Sequence, residues 1–277
     1  MALTTSGGAA ILSVEQVDEL VVRPLIAQSV ATRVGRVVPI TAGSLRLPIV
    51  SADPSAAWTA EGAEIAVSDP TLIEVDVVPK KLAGLVVVSN ELAADSSPAA
   101  LGVVGEGLVR DLARKIDAAF FANTTTNGPA GLLSIASTTI DAGDTWVNLD
   151  WAEQAKTLAE LHNVTVDAFV CHPNTALDLA SLKDETGSNR PLLQPDPTAP
   201  AARTVAGVPL LTSPAIAEDI VWSIPRSRVV VAMRSGTSVV PDSSAFFTSD
   251  RTAIRATLRV GWGFSDPAAI GKVVLTP

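Results

Sequence analysis

The pair with the most evident capacity for chemistry is Cys171-His172, within the run AFVCHPN. A thiol beside an imidazole suggests a nucleophile and its base. Residues 168–171 read as a short strand, however, and neighbouring side chains on a strand point to opposite faces, so the two cannot form a dyad with each other. His162 is the only other histidine. The expectation for Cys171 is a buried structural thiol. A cytosolic enzyme using Cys171 is kept as the rival from another class. A metal centre would have to rest on carboxylates, and neither D-x-[DN]-x-[DN]-G nor H-E-x-x-H occurs, so no metal and no cofactor are expected. Gly102, Gly105 and Gly107 do not have the G-x-G-x-x-G spacing and no G-K-[ST] follows them, which argues against a phosphate cradle. Arg251, Arg255 and Arg259 share one face of a predicted strand. They could touch DNA, but such a row is better matched to a carboxylate-rich protein surface.

These residues sit in a chain of 277, long enough for one large domain or two smaller ones. It is 47% hydrophobic and only 18% charged, against about 25% charged in a typical soluble domain. No apolar run is long enough to span a bilayer, and the start, MALTTSGGAAILS, lacks a basic n-region and a long apolar h-region. The excess apolar surface therefore belongs in contacts between proteins. A net charge of −9 opposes general affinity for nucleic acid. The single cysteine excludes an intrachain disulfide framework and a Cys-rich zinc site, and suits a reducing cytoplasm.

The element that organises the rest is a predicted amphipathic helix over 98–122. Leu101, Val104, Leu108, Val109, Leu112, Ala113, Ile116, Ala119 and Phe120 fall on one side of it, with Glu106, Arg110, Arg114 and Asp117 on the other. Ser97-Pro98 supplies a cap and first turn, and Asn127-Gly128-Pro129 marks the turn beyond. The three glycines of its first half are read as places where another backbone comes close.

Upstream, residues 1–12 read as a tail, Ser13 to Gln16 as a capping box for a short helix, and Val34–Leu47 as an extended arm with little core. Residues 48–82 form a long irregular hairpin with strand alternation over 72–78. Between Ser51 and Val78 it holds Asp53, Glu61, Glu64, Asp69, Glu74 and Asp76 and no basic residue. A two-stranded ribbon is marginal alone, so this one must lie on something else.

Leu82–Ser89 reads as a buried strand entering the long helix, and Leu132-Leu133 as an apolar return strand. Helices are expected over 150–163, with Trp151, Ala155, Leu158 and Leu161 inward, and from Pro173. Residues 184–205 read as loop, with strands at 208–211, 228–233 and 252–262. The last alternates strictly and presents Arg255, Thr257 and Arg259 outward.

In order and spacing these pieces resemble the major capsid proteins of tailed bacteriophages, of the Hong Kong ninety-seven type. The residues that carry the resemblance begin with Ala57-Trp58-x-x-Glu61, Lys81-Leu82 and Ser89-Asn90-Glu91-Leu92. Lys115-Ile116-Asp117-x-x-Phe120 and Pro129-x-Gly131-Leu132-Leu133 follow. His172-Pro173-Asn174-Thr175, Leu182-Lys183-Asp184-x-x-Gly187 and Ala206-Gly207-Val208-Pro209 complete the set.

The resemblance implies an α+β capsid fold with an N-terminal arm (1–44) and an extended β-hairpin loop (45–82). A peripheral domain (83–140 and 236–263) would hold the spine helix 98–122 and a long strand, and an axial α/β domain (141–235 and 264–277) would lie near the capsomer centre. It further implies a structural, non-enzymatic protein of the virion, assembled in the bacterial host cytoplasm. Its copies would form pentamers and hexamers and close into an icosahedral head around double-stranded DNA that is packaged without tight specific binding. Portal and decoration proteins would be further partners, and no membrane is involved. Trp58, Glu61 and Glu64 of the loop are expected at subunit interfaces, the acids facing Arg110 and Arg114, Arg255 and Arg259, or Arg33 and Arg36 of an adjoining subunit.

Two departures from the family pattern stand out. The loop has no lysine between Ser51 and Val78, so self-catalysed covalent cross-linking is not expected. Met1 directly precedes the arm, which implies a separate scaffolding protein or none. An encapsulin-like compartment shell is the rival within the same fold.

Overall fold

The long helix is the part of the computed structural model on which both sheets converge. The structure describes residues 23–52, 54, 56–60, 62, 64, 67–69, 71–89, 99–185, 187–193, 203–235 and 238–276. The helix expected over 13–21, the Ser97-Pro98 cap, Glu61 and the side chains of Leu101 and Val104 lie outside the described residues.

The chain enters through two short helices, α1 (Arg23–Gln28) and α2 (Val30–Val34), then β1 (Arg36–Ile40). Leu25, Val30 and Ala31 are buried in the main core, and within Val34–Leu47, expected as an extended arm with little core, Val34 joins them and β1 pairs in parallel with a later strand. Pro24 stands in the first turn of α1, where its missing N–H costs nothing. A hairpin follows, β2 (Leu45–Ala52) and β3 (Thr71–Val77), and then β4 (Lys80–Ser89).

Helix α3 (Ala99–Phe121) matches the expected spine. Val109, Leu112, Ala113, Ile116, Ala119 and Phe120 are buried as the periodicity requires. Phe120 sits at its inner end, edge-on to Phe121 at 5.0 Å and to Trp262 at 5.3 Å. The close approach expected at the helix glycines is not made at Gly107. The surroundings of Gly102 and Gly105 lie outside the described residues, and a close approach is made at Gly84 of β4, where a Cβ would come within 2.6 Å of Leu108 Cδ1.

Asn127, at φ 59°, turns the chain beyond the helix. It returns not as a strand but as a single 3₁₀ turn, Leu132–Ser134. Gly131 explains why. Its N–H bonds to the Asn123 carbonyl at 3.1 Å, and a Cβ there would collide with the carbonyl oxygens of Ala119, Phe120 and Ala122 at the helix end. The return segment thus caps the spine helix rather than joining a sheet.

The rest of the chain supplies β5 (Thr138–Asp141), α4 (Asp150–Leu161), β6 (Ala168–Cys171), α5 (Pro173–Ser181), β7 (Thr204–Val205) and β8 (Val208–Thr212). It ends with β9 (Ile220–Ile224), β10 (Val229–Arg234), β11 (Ser238–Phe246), β12 (Arg251–Phe264) and β13 (Gly271–Val274). Helix α4 stops at Leu161, which is 77% exposed rather than inward.

Two sheets result. One has the order β1-β10-β12-β11, with β4 also on β12. The other runs β5-β13-β9-β6-β8-β7. Strand β12 alternates as predicted, and its buried Ala256, Leu258, Val260 and Trp262 face α3. The sheets divide the chain differently from the expected boundaries in two places. Strand β10, a Val-rich run buried up to Met233, pairs with Val260–Phe264 of the long strand, and β5 joins the second sheet through β13.

Candidate subunit-contact surface

Among the described residues, the hairpin β2–β3 is anchored at its base. Leu45, Leu47, Val75 and Val77 pack with Ile40 and Ala232 in a small core of their own. Gly263 on β12 makes room for them. A Cβ there would strike Val77 Cγ2 and come within 3.1 Å of Leu47 Cδ1. Beyond the base, Val50, Leu72 and Ile73 are exposed, and Trp58 and Val67 stand almost wholly in solvent. The far half of the ribbon therefore carries an apolar surface that stands exposed among the described residues.

Glu64 is exposed on the same segment, and Glu61 lies outside the described residues. One internal cation does reach the acidic ribbon: Arg46 of β2 approaches Glu74 of β3 at 3.9 Å. The sequence window that began at Ser51 passed over it. At that exposure the pair contributes between roughly 0.2 and 1 kcal/mol.

The cations expected to receive those acids fall into three separate groups, of which Arg33 and Arg36 stand exposed on α2 and β1. Arg110 and Arg114 lie on the exposed side of α3. Arg110 is tied to Glu106 one turn earlier at 3.7 Å. Both line a cavity of about 230 Å³ together with Gln28, Asp117, Thr212 and Ser213. Arg255 and Arg259 are exposed on the opposite face of the sheet from α3, because the alternate residues of β12 are the ones turned to the core. Arg259 stands directly across from Lys81 of β4, and Arg255 lies between Leu85 of β4 and Val240 of β11. On β11, Asp242 is held below the usual carboxylate range, first by the Ser244 hydroxyl and backbone N–H and lastly by Arg255. The structure does not bring the arginines of α3 and those of β12 together.

Strand β4, expected to be buried, has only one face covered: Leu85 and Val87 are exposed beside the Arg255–Arg259 row. A run of Val and Leu signals burial, but it does not say in which molecule.

Asp117 is the clearest miss. The helical wheel puts it on the polar side, yet it is 9% exposed. Its Oδ1 accepts from the Ser29 hydroxyl at 2.6 Å and the Ala31 N–H at 3.0 Å, and its Oδ2 accepts from the Val30 N–H at 3.1 Å. The N-cap residue Ser29 makes no capping bond of its own, and a carboxylate from the spine takes up the first N–H groups of α2 in its place. Burial pushes its pKa up, against the lowering effects of those three bonds and of Arg33.

Cys171 is buried at the centre of the second core, and burial pushes its thiol up to about 12, so little thiolate forms. His172 is the N-cap of α5: its Nδ1 accepts from the Asn174 N–H at 3.1 Å, which leaves Glu218 within 3.5 Å of a ring already in use. His162 pairs with Asp266 at 3.0 Å. Among the described residues no group of three or more His, Cys, Asp or Glu could hold a metal ion, and no helix is long and apolar enough to cross a membrane.

Compared with known proteins, the sequence matches the model of the phage capsid family over residues 9–275. No curated protein matches it. Among solved structures it is similar to one described as Microbacterium phage Oxtober96, at 20% identity over 90% of this chain and 91% of that one, with a TM-score of 0.70. One from Mycobacterium phage Bobi gives 19%, 90%, 91% and 0.72 on the same measures. The capsid of an empty GTA particle gives 19%, 90%, 90% and 0.73. At these identities the likeness is one of fold, and that fold is the Hong Kong ninety-seven capsid type.

Proposed function

The chain belongs to the phage capsid family, and on that footing we propose that its copies join as pentamers and hexamers and close into an icosahedral head around double-stranded DNA. It is a structural major capsid protein, its place is the virion capsid, and its first partner is itself. The observation that carries the proposal is the hairpin: its base is packed on β12, while Val50, Trp58, Val67, Leu72 and Ile73 remain exposed beyond it. Such a surface is unfavourable on a free monomer and is satisfied by an adjoining copy.

In this reading the chain comprises an arm (1–44), an extended loop (45–82), a peripheral domain around α3 and β12 and an axial domain around the second sheet. The loop lies across a neighbour. Trp58 supplies apolar contact, and Glu61 and Glu64 meet Arg110 and Arg114 or Arg255 and Arg259. Arg114, Arg255 and Arg259 suit that role because each is exposed. Assembly takes place in the bacterial host cytoplasm, with a portal and decoration proteins as further partners. With a net charge of −9, the shell contains DNA without gripping it tightly. Cys171 performs no reaction. The encapsulin-like alternative is not favoured by the family match.

Electron microscopy and light scattering of the expressed protein test the reading. Closed shells are expected, and a strictly monomeric species under all assembly conditions, with or without scaffold, would sink it.

A further inference from the structure

Beside the spine helix, between the end of α1, the start of α2 and the end of β8, lies the cavity of about 230 Å³ whose walls are rich in hydrogen-bond donors. Arg110 and Arg114 stand one turn apart on α3 and line it together, a like-charged i,i+4 pair that is unfavourable by itself. Glu106 approaches Arg110 at 3.7 Å and offsets part of one charge. Asp117, which also lines the cavity, is committed elsewhere: its two oxygens accept from Ser29, Val30 and Ala31.

The remaining walls add Gln28, Thr212 and Ser213. Ser213 is 1% exposed. Its Oγ accepts from the Ala215 N–H at 3.3 Å, and among the described residues its own O–H finds no acceptor. A buried hydroxyl with an unused proton, set beside two guanidinium groups, calls for an acceptor from outside the chain.

We propose that this cavity binds a phosphate group, with Arg110 and Arg114 pairing its charge and Ser213 and Gln28 donating to its oxygens. A carboxylate has two oxygens and a single charge, and one guanidinium fork satisfies it. A phosphate spreads up to about two charges over more oxygens and suits two forks set side by side. Asp117 repels such a group less than a free carboxylate would, because three donors already share its charge. The arginines of α3 and of β12 then have different tasks: the first pair holds phosphate, while Arg255 and Arg259 stay available to the acids of the loop. The site lies within one subunit and stands whether or not shells form. Its phosphate comes from a free ion or from the backbone of double-stranded DNA, two sources that share this chemistry.

Titration calorimetry on the full-length, unassembled chain at fixed ionic strength tests this, with inorganic phosphate and a short mixed-sequence DNA duplex as separate probes. Phosphate is expected to bind once per chain, and Arg110→Gln with Arg114→Gln to weaken it by about tenfold or more. Ser213→Ala should weaken it by about threefold, and Arg255→Gln with Arg259→Gln should leave it unchanged. Should the α3 double variant fail to fold, Ser213→Ala and the charge-preserving Arg110→Lys with Arg114→Lys decide, since loss of the forks alone should still weaken binding. A duplex that displaces phosphate, with a salt dependence whose slope falls by about two in the α3 double variant, identifies the DNA backbone as the source. Phosphate binding that the duplex does not displace identifies the free ion. Absence of phosphate binding, or binding that the α3 and Ser213 variants leave unchanged, overturns the site.

Discussion

Replacing Asp117 with Ala removes a carboxylate that three donors share, and its cost can be worked from the geometry. Hydrogen bonds to a charged acceptor contribute about 1.5–3 kcal/mol each, so three of them set a ceiling of roughly 5–9 kcal/mol. Two effects reduce it. The carboxylate carries its own burial cost, which is what raises its pKa. The cavity of about 230 Å³ beside it also lets water reach the Val30 and Ala31 N–H groups once the side chain is truncated. The expected net loss is about 3–4 kcal/mol, well above the roughly 1 kcal/mol of an ordinary cap, because α1 and α2 lose their fixing on the spine together.

Urea unfolding of unassembled subunits, followed by tryptophan fluorescence, measures it, since Trp262 lies in the same core. A loss under about 1 kcal/mol would refute the clamp. The pH dependence has a definite sign. The folded value is raised above 3.8, so between the unfolded and folded values the native state holds a proton that the unfolded state has lost. The stabilisation from this linkage is full below about pH 4 and is lost as pH rises through the raised folded value. Asp117→Asn keeps the shape without the titration, and subtracting its profile from that of the parent should isolate this slope.

Gly131→Ala should destabilise the subunit by about 1–3 kcal/mol or more, because the new methyl meets carbonyl oxygens of a helix end that cannot move aside. Thermal melting checks it, and an unchanged midpoint contradicts the capping role. Cys171 should resist thiol reagents in the native subunit at pH 8 and react on unfolding; rapid native labelling would contradict its burial. Replacing Glu61 and Glu64 together with Gln should lower both shell stability and its dependence on salt, since screening at 1 M cuts the Debye length to about 3 Å. Equal stability of variant and parent at low and high salt would mean that these acids are merely solvated. With no lysine between Ser51 and Val78 to supply an amine, shells should run on a denaturing gel as single 28.5 kDa chains, and a ladder would contradict this.

What was legible in the sequence was whatever repeats. The spine helix and β12 were found within a few residues because their periods of 3.6 and 2 leave one face apolar. Strand β9 was missed because Ile220–Ile224 is buried on both faces and so has no alternation to detect. Asp117 was misplaced for a different reason. A wheel separates two faces of one helix, but the third element that covers the polar side, here Ser29 to Ala31, comes from almost ninety residues away. The contact surface was half legible. Composition demanded hidden apolar area, and Trp58 and the acids marked the loop, but only the structure shows that Leu85 and Val87 of β4 belong to the same uncovered set.

The seat of the hairpin on Gly263 also has a mechanical meaning. Strand β3 is seven residues long and fixed at one end, so its far end stands about 24 Å from the pivot, at about 3.4 Å per residue. A change of only about 10° in the local twist of β12 would swing that end by about 4 Å, nearly the spacing between neighbouring strands. The hairpin is therefore a lever whose fulcrum is a residue without a side chain. Small deformations of the long strand become displacements large enough to exchange one set of neighbour contacts for another, and a bulkier residue at position 263 would lengthen the fulcrum and set the arm at a new angle.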